Sequence, residues 1–177
     1  MNYIHHSTTP LGSITMASDG TALTGLWFDG QKYFGAGLTG ESVQKKLPVF
    51  QRTEQWLELY FRGIAPDFTP PLAINTTPFR KAVWEILLTI PYGRTKTYKE
   101  IADRIAWQKG LPRMSAQAVG GAVGHNPISL IIPCHRVVGS NGSLIGYAGG
   151  LDRKERLLTL EKSKELVFGN CLWYNNL

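Results

Sequence analysis

Pro133-Cys134-His135-Arg136 puts a thiol, an imidazole and a guanidinium on successive residues. Nearby positive charge lowers a free-thiol pKa that starts at about 8.5, so this trio could bias Cys134 toward thiolate, the nucleophilic form. Adjacency in sequence is not contact. On a regular strand Cys134 and His135 face opposite ways, so paired chemistry needs a turn, a bridging water or a third partner. Taken alone, Cys134 reads first as a small buried hydrophobe, which is what most cytosolic cysteines are. Cys171, in Gly169-Asn170-Cys171-Leu172-Trp173, has no basic or histidine neighbour and receives no role. Two cysteines, no CxxC pair and four histidines support neither a disulfide framework nor a closed zinc site, so no metal and no cofactor is expected.

The elements that must position these groups follow from the surrounding pattern. The apolar run Ser129-Leu130-Ile131-Ile132 predicts a short buried strand aimed at the cysteine. Upstream, Ser115 can cap a helix running from Ala116 to Gly124 through Gln117, Ala118, Val119, Gly120 and Gly121. Paired glycines inside a helix cost about 1 kcal/mol each relative to alanine, so they are expected where another backbone, of protein or DNA, comes close. Thr97-Tyr98-Lys99-Glu100 is a capping box for a preceding helix with Ile101, Ala102 and Ile105 on its buried face. Trp107 to Met114 connects the two. Thr77-Pro78 opens an earlier helix whose apolar stripe, Phe79, Ala82, Val83, Ile86, Leu87 and Ile90, is broken by Pro91-Tyr92-Gly93. Two short helices in a basic surround, the second small-sided, suggest a helix-turn-helix, although the connection exceeds the usual three or four residues.

Charge agrees with a polyanion partner without requiring one. The chain of 177 residues carries 19 Lys or Arg against 13 Asp or Glu, a net +6. Residues 1–77 hold 5 basic and 6 acidic side chains and residues 78–177 hold 14 and 7, so the excess lies wholly in the second half. A solvated basic face would produce the same asymmetry. With 43% apolar and 18% charged residues the composition is globular and excludes a disordered chain. No apolar run reaches the roughly 18 residues of a membrane span, and Met1 to His6 lacks the features of a signal peptide. The expectation is a cytoplasmic monomer with no membrane partner.

The first third reads as an antiparallel meander: Tyr3 to His6, Ser13 to Ser18 and Thr21 to Phe28, with Asp19-Gly20 as a tight hairpin and Asp29-Gly30 ending the third strand. A Gly-rich loop follows. Gln51 to Arg62, with Trp56, Leu57, Tyr60 and Phe61 at helical spacing before Gly63, predicts a helix covering the sheet. The Pro- and Thr-rich stretch from Asp67 to Thr77 marks a boundary. The fold class is therefore α+β: an N-terminal domain, residues 1–75, of antiparallel sheet plus helix, and a mostly helical domain, residues 76–177.

Ile132-Pro133-Cys134-His135-Arg136-Val137-Val138-Gly139, with Gly146-Tyr147-Ala148-Gly149-Gly150-Leu151 and Lys154, resembles the signature of the O6-alkylguanine-DNA alkyltransferases, or methylated-DNA-protein-cysteine methyltransferases. The likeness extends in order through Thr77-Pro78-Phe79, Ile90-Pro91-Tyr92-Gly93, Thr97-Tyr98, Ala118-Val119-Gly120 and Asn126-Pro127 to Leu157-Leu158 and Glu161. It spans the second module nearly end to end and implies a winged-helix-like (helix-turn-helix) DNA-binding domain over residues 76–177; the first fits the family by length, position and its meander with a covering helix.

The resemblance implies direct-reversal repair: an alkylated guanine, and in some members O4-alkylthymine, is flipped out of double-stranded DNA and its alkyl group passes irreversibly to Cys134, once per protein molecule. Flipping is required because the O6 carbon cannot reach a thiol while stacked. By similarity, His135 acts through a water to deprotonate Cys134, Glu161 orients the imidazole, and Asn126 braces the two parts of the DNA-binding unit. Tyr98 helps rotate the nucleotide, the carbonyls of Cys134 and Val137 and the N–H of Ala148 read the guanine edge, and Tyr147 walls the pocket. Ser115, Gln117 and Ala118 fall on the recognition helix, and Lys99 and Ser140 match positions that touch the DNA backbone. Backbone contacts of this kind predict binding that weakens steeply with salt. Without the joint pattern, Glu161 reads as a solvated acid beside Lys162 or Lys164, His135 as a core histidine, Asn126 as a turn residue, and Tyr98 as core packing beside Ile101.

One departure matters. Where many members carry an arginine that fills the gap left by the extruded base, this chain has Gln117, which can hydrogen-bond the orphaned base but lacks charge and a stacking plane. Arg113 could replace it in part, and Gly124 stands where some relatives have a further basic residue. A cysteine hydrolase would turn over and needs no basic helix pair. A noncatalytic lesion binder would lack Cys134. A transcriptional regulator would leave Pro-Cys-His-Arg unexplained and prefer one sequence over a lesion.

Overall fold

Alternating β-prone residues and turn formers in the first third of the chain fold into three antiparallel strands, β1 (Asn2–Thr9), β2 (Gly12–Ser18) and β3 (Leu23–Phe28). The computed structural model describes residues 1–162; Lys164 and Cys171 lie outside them. The link from β2 to β3 is wider than a two-residue hairpin. Only Gly20 has a positive φ, 116°, while the Asp19 carboxylate accepts the Thr21 and Ala22 N–H groups, each at 2.9 Å. A register shift at Ala17/Ser18 accommodates this turn.

The sheet is not purely antiparallel. A short fourth strand, β4 (Ser42–Gln44), pairs in parallel with β1, giving the order β3-β2-β1-β4. All three β4 residues are exposed, so no alternation of apolar and polar residues announced it. Helix α1 (Pro48–Phe61) begins at Pro48 rather than Gln51, with proline in the first turn where its missing N–H costs nothing. It buries Val49, Phe50, Thr53, Trp56, Leu57 and Tyr60.

In the second half the caps read from sequence are formed. Helix α2 (Pro78–Leu88) starts on Thr77, whose side chain accepts the Arg80 N–H. A two-residue strand β5 (Lys96–Thr97) leads into α3 (Tyr98–Gln108), which carries the Thr97/Glu100 capping box. Trp107 belongs to α3 and is 75% exposed, so the connection to the next helix is shorter than the span from Trp107 to Met114. Helix α4 (Ala116–Gly124) is capped by Ser115 and held on α2 by Trp84, whose indole N–H donates to the Ala122 carbonyl at 2.8 Å.

Ser129 to Ile132 is a set of turns, not a strand. Leu130 adopts a left-handed φ of 70°, and the Ile132 N–H bonds back to the Ile128 carbonyl at 3.1 Å. These residues are apolar because they are buried, which a run this short cannot distinguish from strand. Instead the preceding residues dock on the outer edge of β3: Leu26 N–H donates to Pro127 O at 2.9 Å and Ser129 N–H to Leu26 O at 2.8 Å. The buried Gln31 side chain adds a second tie, accepting from Phe28 N–H and the Ser129 hydroxyl. A 3-10 turn, Cys134–Arg136, follows, then β6 (Val137–Val138), parallel to β5, and finally α5 (Leu151–Lys162). Buried side chains from both halves form one continuous core, from Ile14 and Phe28 through Tyr60 and Trp84 to Val123 and Leu157. Among the described residues no helix is long and apolar enough to cross a membrane.

Candidate active site

The 3-10 turn resolves the geometric objection to a Cys-His neighbour pair, because it turns consecutive side chains away from strict alternation. Cys134 is 4% exposed, and the Asn126 Nδ2 donates to its sulfur at 3.1 Å. Asn126, buried just after α4, also donates to the Ile128 and Ile132 carbonyls at 3.2 and 2.7 Å and accepts from Ile128 N–H at 3.0 Å. One amide thus fixes both the loop before the turn and the sulfur at its start.

His135 is fully buried, and its Nε2 lies 2.7 Å from Glu161 Oε1 on α5. Burial alone would raise the Glu161 pKa, but the hydrogen bonds from His135 and Arg136 and the Arg136 charge hold it at about 2. An ionised carboxylate only accepts, so Nε2 carries the proton and Nδ1 of the neutral ring is a bare lone pair. Nδ1 has no hydrogen-bond partner among the described residues. Burial also lowers the His135 pKa, with the Glu161 hydrogen bond opposing it, so the resting ring is neutral.

Glu161 is among the most heavily bonded side chains of the fold. Oε1 accepts from His135, from the Tyr60 hydroxyl at 2.7 Å and from Arg136 Nη2 at 3.0 Å; Oε2 accepts from Arg136 Nε at 2.8 Å and from Gly93 N–H at 3.0 Å. This explains Ile90-Pro91-Tyr92-Gly93. The Ile90 carbonyl accepts Arg136 Nη1 at 2.7 Å, and Gly93, at φ 77°, would set a Cβ 3.3 Å from the Glu161 carbonyl oxygen.

The arginine therefore does not activate the thiol as the sequence suggested. Its charge is neutralised by Glu161, and burial pushes the Cys134 pKa up, opposed by the Asn126 hydrogen bond and the Lys154 charge. The resting pair is a neutral thiol beside a neutral imidazole. Lys154 is the cation that supports a thiolate. It is 0% exposed, its ammonium bonded to the Val137 carbonyl at 2.5 Å and the Ile145 carbonyl at 2.6 Å, and burial brings its pKa down to about 8.

The loop that Lys154 anchors also meets Tyr98. The Tyr98 hydroxyl donates to the Ile145 and Gly146 carbonyls at 3.0 and 3.1 Å. Burial, then the Cys134 charge, raises the Tyr98 pKa to about 12, and the same two causes raise that of Tyr147, so both phenols remain protonated beside the sulfur. The Tyr147 ring lies 6.4 Å from that of His135. The Cys134 carbonyl accepts the Val137 N–H, and the Ala148 carbonyl accepts Lys32 N–H from the Gly-rich N-terminal loop at 3.1 Å. Cys134, His135, Asn126, Glu161, Tyr98, Val137, Tyr147 and Ala148 thus share one neighbourhood.

The remaining candidates lie on the surface. Ser115, Gln117 and Ala118 are exposed along α4. Gly121 and Gly124 face open space within the chain, and Gly120 faces the Tyr98 ring, so the small-sided helix has an unfilled outer face. Ser140 is exposed, and the Lys99 ammonium is 2.7 Å from Asp103. Sequence reasoning missed Tyr60, the Arg136–Glu161 pair and the anchoring role of Lys154; Arg136, Glu161 and Lys154 fall within the quoted likeness, whereas Tyr60 does not.

Comparison with known proteins gives the family. Residues 78–163 match the DNA binding domain, and residues 2–74 the ribonuclease-like domain, of 6-O-methylguanine DNA methyltransferase. The chain belongs to the 6-O-methylguanine DNA methyltransferase family. It is 44% identical over 166 residues to a methylated-DNA--protein-cysteine methyltransferase of Mycobacterium tuberculosis, covering 91% of this chain and 94% of the relative. A Haemophilus influenzae protein of the same name is 42% identical over 161 residues, covering 90% and 86%. Among solved structures, that of Mycobacterium tuberculosis OGT in complex with DNA superposes with a TM-score of 0.78 at 40% identity, covering 95% of this chain and 99% of the other.

Proposed function

We propose that this chain repairs alkylated DNA by direct reversal, as a single-turnover methylated-DNA-[protein]-cysteine S-methyltransferase. The observation that carries the reading is the buried Asn126–Cys134 and His135–Glu161 arrangement beside a helix whose outer face is small and open. In this reading Gln117, Ala118 and Ser115 on α4 enter the DNA, Lys99 and Ser140 meet phosphates, and Tyr98 assists rotation of the lesion. The extruded base lies against Tyr147, with the Cys134 and Val137 carbonyls and the Ala148 N–H reading its edge.

The chemistry balances without a cofactor. The Cys134 proton passes through a water to the bare Nδ1 of His135, and the new imidazolium is stabilised by ionised Glu161. The sulfur attacks the alkyl carbon, an S–C bond forms, and the C–O6 bond breaks with its electron pair on O6. Donors at the pocket edge stabilise the departing guanine, which recovers a proton. The products are a thioether and an unmodified base, and nothing regenerates the thiol.

Asn126 serves as the brace between α4 and the reactive turn. The same reading places the protein in the cytoplasm as a monomer, with residues 1–75 and 76–177 as its two domains, a division supported by the two matched family regions. The test is stoichiometry. With O6-methylguanine duplex in excess, loss of lesion should stop at one per protein molecule; continued turnover, or no loss, contradicts the proposal.

A further inference from the structure

Tyr60 belongs to α1, in the N-terminal half, yet its hydroxyl ends in the catalytic cluster of the C-terminal half. The ring is fully buried, stacked on Trp56 at 5.2 Å and edge-on to Tyr92 at 5.7 Å and to His135 at 6.2 Å. The hydroxyl donates to Glu161 Oε1 at 2.7 Å and lies 3.2 Å from His135 Nε2. Burial, reinforced by the Glu161 charge, pushes its pKa far up, so it stays a phenol and a donor.

A buried tyrosine needs one partner for its hydroxyl. Packing alone does not select this one, since a phenylalanine would make the same ring contacts, and Glu161 already accepts from His135, from Arg136 and from Gly93 N–H. What the hydroxyl adds is a second oxygen facing Nε2. A carboxylate oxygen by itself allows the imidazole to swing about a single hydrogen bond. With Glu161 Oε1 and Tyr60 Oη both at Nε2, the N–H is shared between two acceptors and the ring plane is fixed.

The geometry points to Tyr60 as a positioning residue for alkyl transfer: with the tautomer set by Glu161, it holds the His135 ring in the orientation that presents the bare Nδ1 to Cys134. This deepens the proposed function and rests on it. It also gives the N-terminal half a part in the chemistry, through one side chain.

The test uses the full chain with 15N-labelled histidine. In the wild-type protein His135 should show a single Nε2–H tautomer, with that proton close to the Tyr60 ring. In Tyr60→Phe the tautomer should persist, but the Nε2–H proton signal should broaden and exchange faster with water as the ring gains freedom, and the transfer rate should fall about tenfold. Affinity for the lesion duplex, measured in a Cys134→Ser background, should be unchanged. A wild-type rate in Tyr60→Phe overturns the inference, as does a slower variant whose Nε2–H signal is as sharp and as protected as in the wild type, because its loss is then merely structural. If Tyr60→Phe does not fold, the wild-type spectrum still decides, and an Nδ1–H tautomer there is fatal. A wild-type protein that transfers no alkyl group defeats the proposed function instead, and the tautomer measurement reports independently of it.

Discussion

Arg136 and Glu161 form a two-point pair, Nε to Oε2 at 2.8 Å and Nη2 to Oε1 at 3.0 Å, both side chains buried. The arginine of Pro-Cys-His-Arg is thereby committed to the carboxylate that holds the histidine, and not to the thiol. Its effect on the reaction is indirect: it keeps Glu161 ionised, which fixes the His135 proton on Nε2.

Acid should uncouple this cluster. Glu161 sits at about 2 in the fold against an ordinary 4.5, so it contributes stability that is complete above 4.5 and is lost as the pH falls through about 2. The contribution is on the order of 3 kcal/mol. His135, held below its ordinary 6.5, acts in the same direction, since the unfolded chain takes up a proton that the folded one resists. Urea midpoints should fall steadily between pH 7 and pH 3. Glu161→Gln should start from a lower midpoint at pH 7, because Arg136 is left unpaired, and should lose part of that acid slope; an unchanged slope contradicts the assignment.

Lys154, rather than Arg136, supports charge on sulfur. Lys154→Met keeps the stem and removes the ammonium. Without that charge the thiolate fraction falls, and the second-order transfer rate should drop about tenfold. Rates measured from pH 7 to 9 should show the deficit narrowing as wild-type Lys154 loses its own proton near 8. A variant as fast as wild type at pH 7 rules out this role.

Gln117 is exposed on α4, where a longer cationic side chain fits without disturbing the core. Gln117→Arg should raise the second-order rate on a duplex lesion about fivefold, the equivalent of about 1 kcal/mol. Stopped-flow assay of base extrusion alongside transfer would locate the gain in flipping. An unchanged or lower rate defeats this.

How far these features could be read beforehand depended on distance along the chain. Thr77, Ser115 and the Thr97/Glu100 pair are local devices and were legible because a cap and its target lie within three residues. Asn126, Cys134 and His135 fall within one short segment, yet Glu161 was tied to them only by the family resemblance. Tyr60 could not be found, since its partner is 101 residues away and its apolar spacing reads as core. The buried turns at Ser129 to Ile132 were misread because burial and strand leave the same apolar composition. Strand β4 left no trace, being short and exposed on both faces.

The central claim is that the alkyl group ends on Cys134. Intact and peptide mass spectrometry after incubation with an O6-methylguanine duplex tests it directly, with unmodified duplex and Cys134→Ser as controls. The account predicts a single added methyl on the Cys134 peptide, matched mole for mole by lesion lost, and none in either control. Lesion binding with an unmodified Cys134, or methyl on another residue, contradicts it.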